Sequence, residues 1–202
     1  MAKGSFVTGT DTSVGKTTVR CALLRAFAAQ GYRVAGMKPI AAGRENGQWQ
    51  DVELLLAASN INVTRKQINP YAFEAPISPH LAAQQEDITI DLSLVNDCYR
   101  QLSMQADIVI VEGAGGFLVP LNDSQTGEDL AKILGLPVIL VVGMRLGCLN
   151  DALLTTGAIS AARLSLVGWI ANCIQSPMVA VTENIATLEQ RLQAPLLGIL
   201  RF

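Results

Sequence analysis

The sequence predicts an α/β protein, a single domain built on a mostly parallel sheet with helices on both faces. Three observations predict it. Apolar, β-branched runs such as Ile108 to Val111 and Val138 to Val142 alternate with helical runs along the chain. These strand runs are continuously apolar, as strands buried on both faces require. The polar candidate residues lie at the carboxyl ends of the strands or just after them, where sheets of this kind bind ligands.

Composition bounds the answer. The 202 residues fit one domain, residues 1–202, with a substantial core. Half the residues are hydrophobic and 16% are charged, below the ordinary level of roughly a quarter. Strands buried on both faces account for that balance, as does a surface partly covered by another subunit. A net charge of −2 with no basic run gives a nucleic-acid partner no electrostatic support. Cys21, Cys98, Cys148 and Cys173 lie far apart without a C-x-x-C, so neither a disulfide framework nor a zinc site is indicated. The N-terminus leads straight into a strand, and no apolar segment reaches the ~20 residues that span a bilayer. The expectation is a cytoplasmic protein with no membrane partner.

The elements follow in order. Ser5-Phe6-Val7 is a first strand, and residues 16 to about 30 a first helix, closed by Gly31 as C-cap. Arg33 to Met37 is a second strand, ended by Lys38-Pro39. Asp51 opens a short helix over Val52 to Ala58. A polar stretch runs to Pro70, and Ser78 to Glu86 begins as a capped helix. Leu92 to Met104 is an amphipathic helix, with Leu92, Val95, Tyr99 and Leu102 at helical spacing. Ala106 to Glu112 and Pro137 to Gly143 are buried strands. Leu149 to Arg163 is helical, Leu164 to Asn172 a strand, Val179 to Leu192 a last helix, and Leu196 to Leu200 a short final strand.

The stretch Gly9 to Thr18, GTDTSVGKTT, joins the first strand to the first helix. Backbone N–H groups of such a loop lack helical partners and, with the helix dipole, make an anion site. Lys16 followed by Thr17 supplies an ammonium for β/γ-phosphates and a hydroxyl for Mg²⁺. The strict G-x-x-x-x-G-K-[ST] spacing would put glycine at Thr10, one residue from Gly9. Strand, loop and helix together support a P-loop of the nucleotide-binding type.

Other candidates carry two readings each. Glu112 ends a buried strand before Gly113-Ala114-Gly115-Gly116. It is a Mg²⁺ ligand with glycines that let backbone approach the nucleotide, or a polar strand end before a flexible turn. Lys38 is a second anion-binding ammonium at the edge that carries Lys16, or a solvated lysine. Asp51 is a helix N-cap or a second acidic Mg²⁺ ligand. Gly147 to Asn150 is a helix start capped by Asn150 or Asp151, or a site for a substrate carboxylate. Asn172 bonds a base or closes a turn. His80 reads as a structural hydrogen-bonding residue, and Met37, Met104 and Met144 read as core. There is no G-x-S-x-G, H-E-x-x-H or Cys/His nucleophile pattern.

Taken together, VTGTDTSVGKT (7–17), KPIAAG (38–43), NPYAFEAPISPH (69–80) and VEGAGGFLVPL (111–121) resemble dethiobiotin synthetase. So do PVILVVGMRLGCLN (137–150), GWIAN (168–172) and APLLG (194–198). These blocks extend over nearly the whole chain in the family's order. The resemblance implies a P-loop NTPase-like fold and an ATP-dependent ligase of biotin biosynthesis. Its substrates would be 7,8-diaminopelargonate and CO₂, joined through a carbamate and a carbamic-phosphoric anhydride. By matching positions, Lys16 and Lys38 are the catalytic lysines, and Thr17, Asp51 and Glu112 hold Mg²⁺. Ser13, Val14, Gly15, Lys16, Thr17 and Thr18, with Glu112, Gly113, Ala114 and Gly115, line the nucleotide, and Asn172 faces the adenine. Thr12, Ala42, Cys148, Leu149 and Asn150 lie at the substrate, the last three from the partner subunit of a homodimer.

The likeness has departures. Ala42 stands where the family offers a serine, which removes a substrate hydrogen bond worth roughly 1 kcal/mol. Ser13 replaces a glutamate, and Asp151 replaces a histidine, an acid that disfavours a carboxylate-bearing substrate. Leu200-Arg201-Phe202 stands as a remnant of a longer segment that holds the base. Two alternatives follow: a paralogous ligase with a shifted substrate, and a partitioning-type P-loop switch ATPase. The latter places a signature lysine five residues before the loop lysine, where this chain has Asp11.

Overall fold

The computed structural model describes residues 3–175 and 178–201. Its main sheet has six strands, β1 (Lys3–Gly9), β2 (Val34–Met37), β5 (Ile108–Glu112), β6 (Val138–Gly143), β7 (Leu166–Asn172) and β8 (Leu196–Leu200). They lie in the order β2-β5-β1-β6-β7-β8 with all neighbours parallel. Two short strands, β3 (Ile40–Ala42) and β4 (Tyr71–Phe73), pair separately. The helices are α1 (Lys16–Ala29), α2 (Gln50–Ala58), α3 (Arg65–Ile68), α4 (Pro79–Gln85), α5 (Leu92–Gln105), α6 (Gly127–Leu134), α7 (Cys148–Ala161) and α8 (Val181–Arg191).

Strand side chains alternate between faces, and the core divides accordingly. On β5, Ile108 and Ile110 pack with Val19 and Leu24 of α1 and Val52 and Leu55 of α2. Val109 and Val111 point the other way, toward Leu92, Val95 and Leu102 of α5 and Leu130 of α6. Leu140, Val142 and Trp169 extend that second face under α7 and α8, meeting Ala152, Ile185 and Leu188. Helices thus cover both faces of a parallel sheet, as the uninterrupted apolar runs require.

The short elements depart from the expectations. Arg65–Ile68 is helical inside the stretch read as polar, stabilised by a capping box in which the side chains of Thr64 and Gln67 and their backbone N–H groups pair reciprocally. Gly127–Leu134 is a further helix, and β3 and β4 are strands of three residues each. Asp51 is not an N-cap: α2 begins at Gln50 behind Trp49, so Asp51 lies inside its first turn. Neither Asn150 nor Asp151 caps α7, which starts at Cys148 behind Gly147 in left-handed conformation. Met37 and Met144 are core, but Met104, near the end of α5, is 78% exposed. His80 makes no side-chain hydrogen bond among the described residues.

Candidate active site

Register brings the acid and the second lysine together. Met37 of β2 lies beside Val111 of β5, so the next residues, Lys38 and Glu112, are neighbours at the carboxyl edge. Parity along both strands turns these two toward the face covered by α1 and α2. From that face come Thr17 and Arg20 of α1 and Asp51 of α2.

There the side chains interlock. Lys38 Nζ donates to Glu112 Oε1 at 2.5 Å and to Asp51 Oδ2 at 2.7 Å. Thr17 Oγ1 donates to Asp51 Oδ1 at 2.9 Å, with Glu112 Oε1 3.2 Å away. Glu112 is 1% exposed, and its other oxygen pairs with the guanidinium of Arg20, itself 0% exposed. A buried carboxylate needs such partners. Arg20 escaped the sequence argument because an arginine in a helix usually reads as solvent-facing. The signal was its spacing: four residues after Lys16, it shares that helix face.

Burial and charge shift these groups in opposite directions. Burial works against the Lys38 ammonium, but Glu112 and Asp51 outweigh it and hold its pKa above the ordinary lysine range. Burial likewise works against the Asp51 carboxylate, and Lys38 and Thr17 outweigh it, holding that pKa below the usual range. Lys16 has no carboxylate at ion-pair distance among the described residues. Burial, with the nearby Lys38 charge, pulls its pKa down to about 8, against the attraction of Glu112.

The loop curls over this cluster. Lys16 Nζ donates to the Asp11 carbonyl at 2.7 Å. Gly15 takes a left-handed φ of +87°, and a Cβ there would meet Asn172 Nδ2 at 2.0 Å, which glycine alone avoids. Asn172 Nδ2 donates to the Val14 carbonyl at 2.8 Å, bracing the loop from the end of β7. Val14 turns its side chain into the core, and Thr18 is exposed.

A cavity of about 270 Å³ is lined by Thr12, Ser13, Gly15, Lys16, Thr17, Lys38, Asp51, Glu112 and Gly115. It therefore gathers both lysines, all three residues expected at Mg²⁺, and Thr12, Ser13 and Gly15 of the loop. Gly113, Ala114 and Ala42 do not line it, and Ala42 is exposed at the end of β3. Cys148, Leu149 and Asn150 also lie outside it. The Cys148 side chain is buried under α7, while Asn150 is exposed. Asp151 is not a bare acid: Arg145 Nη2 pairs with Asp151 Oδ2 at 3.2 Å and with Asp11 Oδ2 at 2.9 Å. Arg145 escaped sequence reasoning because its partners are a loop acid 134 residues away and an acid on α7. Of the C-terminal residues, Leu200 ends β8 and Arg201 is exposed, while Phe202 lies outside the described residues.

The arrangement suits phosphate chemistry. Two ammonium groups and a loop before a helix attract anions, while Thr17, Asp51 and Glu112 are the hard oxygen donors that Mg²⁺ prefers. Their side-chain oxygens already converge within hydrogen-bond distance of one another or of the same ammonium, so the donor set fits a divalent ion.

A family model described as an AAA domain matches residues 3–202. An ATP-dependent dethiobiotin synthetase BioD of Nitrosospira multiformis is 61% identical over 202 residues, covering 100% of this chain and 89% of that relative. Its namesake in Aromatoleum aromaticum is 50% identical over 198 residues, covering 96% and 88% of the two chains. Among solved structures, the septum site-determining protein MinD of Pyrococcus horikoshii, complexed with Mg-ADP, aligns with a TM-score of 0.63 at 16% identity. That alignment covers 98% of this chain and 81% of MinD. The signal recognition particle receptor FtsY of Elizabethkingia anophelis, in complex with GDP, reaches 0.57 at 16% identity, covering 98% of this chain and 57% of FtsY. These two likenesses are of fold: a P-loop NTPase-like sheet with its helices.

Proposed function

We propose that this chain, which belongs to the family of ATP-dependent dethiobiotin synthetases, is a ligase that closes the ureido ring of dethiobiotin. Its substrates are 7,8-diaminopelargonate and CO₂, and ATP drives the closure. One domain, residues 1–202, carries the activity. The observation that carries the geometric side of this reading is the convergence of Lys16 and Lys38 on one cavity with Thr17, Asp51 and Glu112. The switch-ATPase alternative has less support: the likeness to MinD is one of fold, and position 11 is Asp11.

One amine of the diamine adds to CO₂, forming an N–C bond and releasing a proton, to give a carbamate. A carbamate oxygen attacks the γ-phosphorus, and the bond to the departing ADP oxygen breaks. The second amine attacks the carbamoyl carbon, loses a proton and expels phosphate as the ring closes. Negative charge gathers at a single place throughout, where preorganised ammonium groups are most effective. Lys16 faces the phosphates and the carbamate. Lys38 has three N–H donors, two of them held by Glu112 and Asp51, and the third is the one proposed to serve the carbamate. Thr17, Asp51 and Glu112 would hold Mg²⁺, which when bound neutralises phosphate charge. Ser13, Val14, Gly15, Thr18 and Gly113 to Gly115 lie along the nucleotide, and Asn172 supports the loop beneath the base. Thr12 and Ala42 lie toward the diamine.

We also propose a homodimer in which Cys148 to Asn150 of the partner subunit receive the substrate carboxylate. Leu146, 95% exposed, and Leu154, 67% exposed, flank that helix start and support it. Pairing of Asp151 with Arg145 lowers its repulsion of a carboxylate. No helix among the described residues is long and apolar enough to cross a membrane, in keeping with a cytoplasmic site of action. The test is phosphate release by purified protein with MgATP, bicarbonate and 7,8-diaminopelargonate. Release should require the diamine; diamine-independent turnover, or none, overturns the assignment.

A further inference from the structure

Arg20 is fully buried, and it does not line the cavity. Its Nη1 faces Glu112 Oε2 as an ion pair without hydrogen-bond alignment, and its Nη2 donates to the Asp51 carbonyl at 3.2 Å. Nε has no partner among the described residues. Taking a guanidinium and a carboxylate out of water is costly, and apolar residues of similar volume often serve stability as well or better. Stability therefore does not account for this side chain.

Geometry does. Arg20 occupies one oxygen of Glu112, which leaves Oε1 as the oxygen turned to Lys38 and Thr17. Through the Asp51 carbonyl the same guanidinium fastens the first turn of α2, from which Asp51 turns Oδ1 to Thr17 and Oδ2 to Lys38. One group on α1 thus ties down the two separate segments that supply the carboxylates. We propose that Arg20 is a positioning residue that presets Glu112 and Asp51 as a divalent-cation site facing Thr17. The proposal rests on the assignment of Thr17, Asp51 and Glu112 to the metal.

The direction of the effect separates positioning from charge. A cation beside a metal site repels the metal, so removing Arg20 for its charge alone would tighten metal binding. Loss of a supporting group that orients ligands weakens it, typically 10–100-fold. Mn²⁺ is the probe, its affinity read by electron paramagnetic resonance on the full chain with saturating ADP. ADP binding in EDTA is measured in parallel. Arg20→Met should weaken Mn²⁺ about tenfold and leave metal-free ADP binding within about twofold. Arg20→Lys, a single ammonium that cannot span both partners, should weaken Mn²⁺ about threefold, and it decides the matter if Arg20→Met does not fold. Unchanged or tighter Mn²⁺ binding overturns the proposal, as does an equal loss of metal-free ADP binding, the mark of a merely structural residue. Glu112→Gln keeps the two assignments apart. If it leaves Mn²⁺ affinity unaltered, the metal assignment fails; if it weakens Mn²⁺ while both Arg20 variants do not, only the role of Arg20 fails.

Discussion

At the scale of single residues, the two lysines carry opposite electrostatic settings, and each setting has a measurable result. Lys38 is held charged by Glu112 and Asp51, so its ammonium is available throughout the neutral range. Lys38→Ala should lower kcat by about a thousandfold while ATP affinity changes less than about threefold, because the interaction lost is one made with developing charge. Equal losses in both would make Lys38 only a nucleotide contact. Lys16, with a pKa near 8 set chiefly by burial, loses its charge as pH rises through that value. ADP binding should therefore weaken roughly tenfold between pH about 8 and about 9.5, with net proton uptake on binding that calorimetry in two buffers detects. The sign for folding is the reverse. An unfolded lysine keeps its proton to about 10.5, so the penalty for burying charged Lys16 is present below pH about 8 and relieved above it.

At the scale of elements, the long strands and helices were legible because burial on both faces leaves continuous apolar runs, as in Val138 to Val142. The short pieces were not. Three residues of β3 or β4 are too few to show a period, and α3 hides in a polar segment whose only signal is the Thr64/Gln67 pair. The loop, Lys38, Asp51 and Glu112 were legible as members of one candidate site because each sits where a strand or helix meets the carboxyl edge. Arg20 and Arg145 were not, since their partners come from distant segments. How α1 and α2 press on β2 is equally hidden in sequence, and it centres on Gly36. A Cβ at that position would lie 1.9 Å from Leu55 Cδ2 and 2.9 Å from Leu24 Cδ1. Gly36→Ala should cost about 1–3 kcal/mol through overpacking, read as a lower urea midpoint with an unchanged slope.

At the scale of the whole molecule, a low fraction of charge and a group of exposed leucines around the start of α7 point the same way. Leu154→Asp should leave the fold intact, since Leu154 is 67% exposed in one chain. It should convert a dimer to a monomer in sedimentation velocity and raise KM for the diamine about tenfold, as loss of a central apolar anchor does. A variant that still sediments as a dimer would remove α7 from the interface. The brace from Asn172 to Val14 has another kind of consequence, one of timing. It joins residues 158 apart, and β1 itself lies between β5 and β6, strands that begin at Ile108 and Val138. During synthesis the nucleotide loop leaves the ribosome well before β7 but has to wait for that strand before it is held in shape. A nascent chain that ends before β7 carries the complete loop motif and lacks its support, so competence to grip a nucleotide arrives only after β7 has joined the sheet.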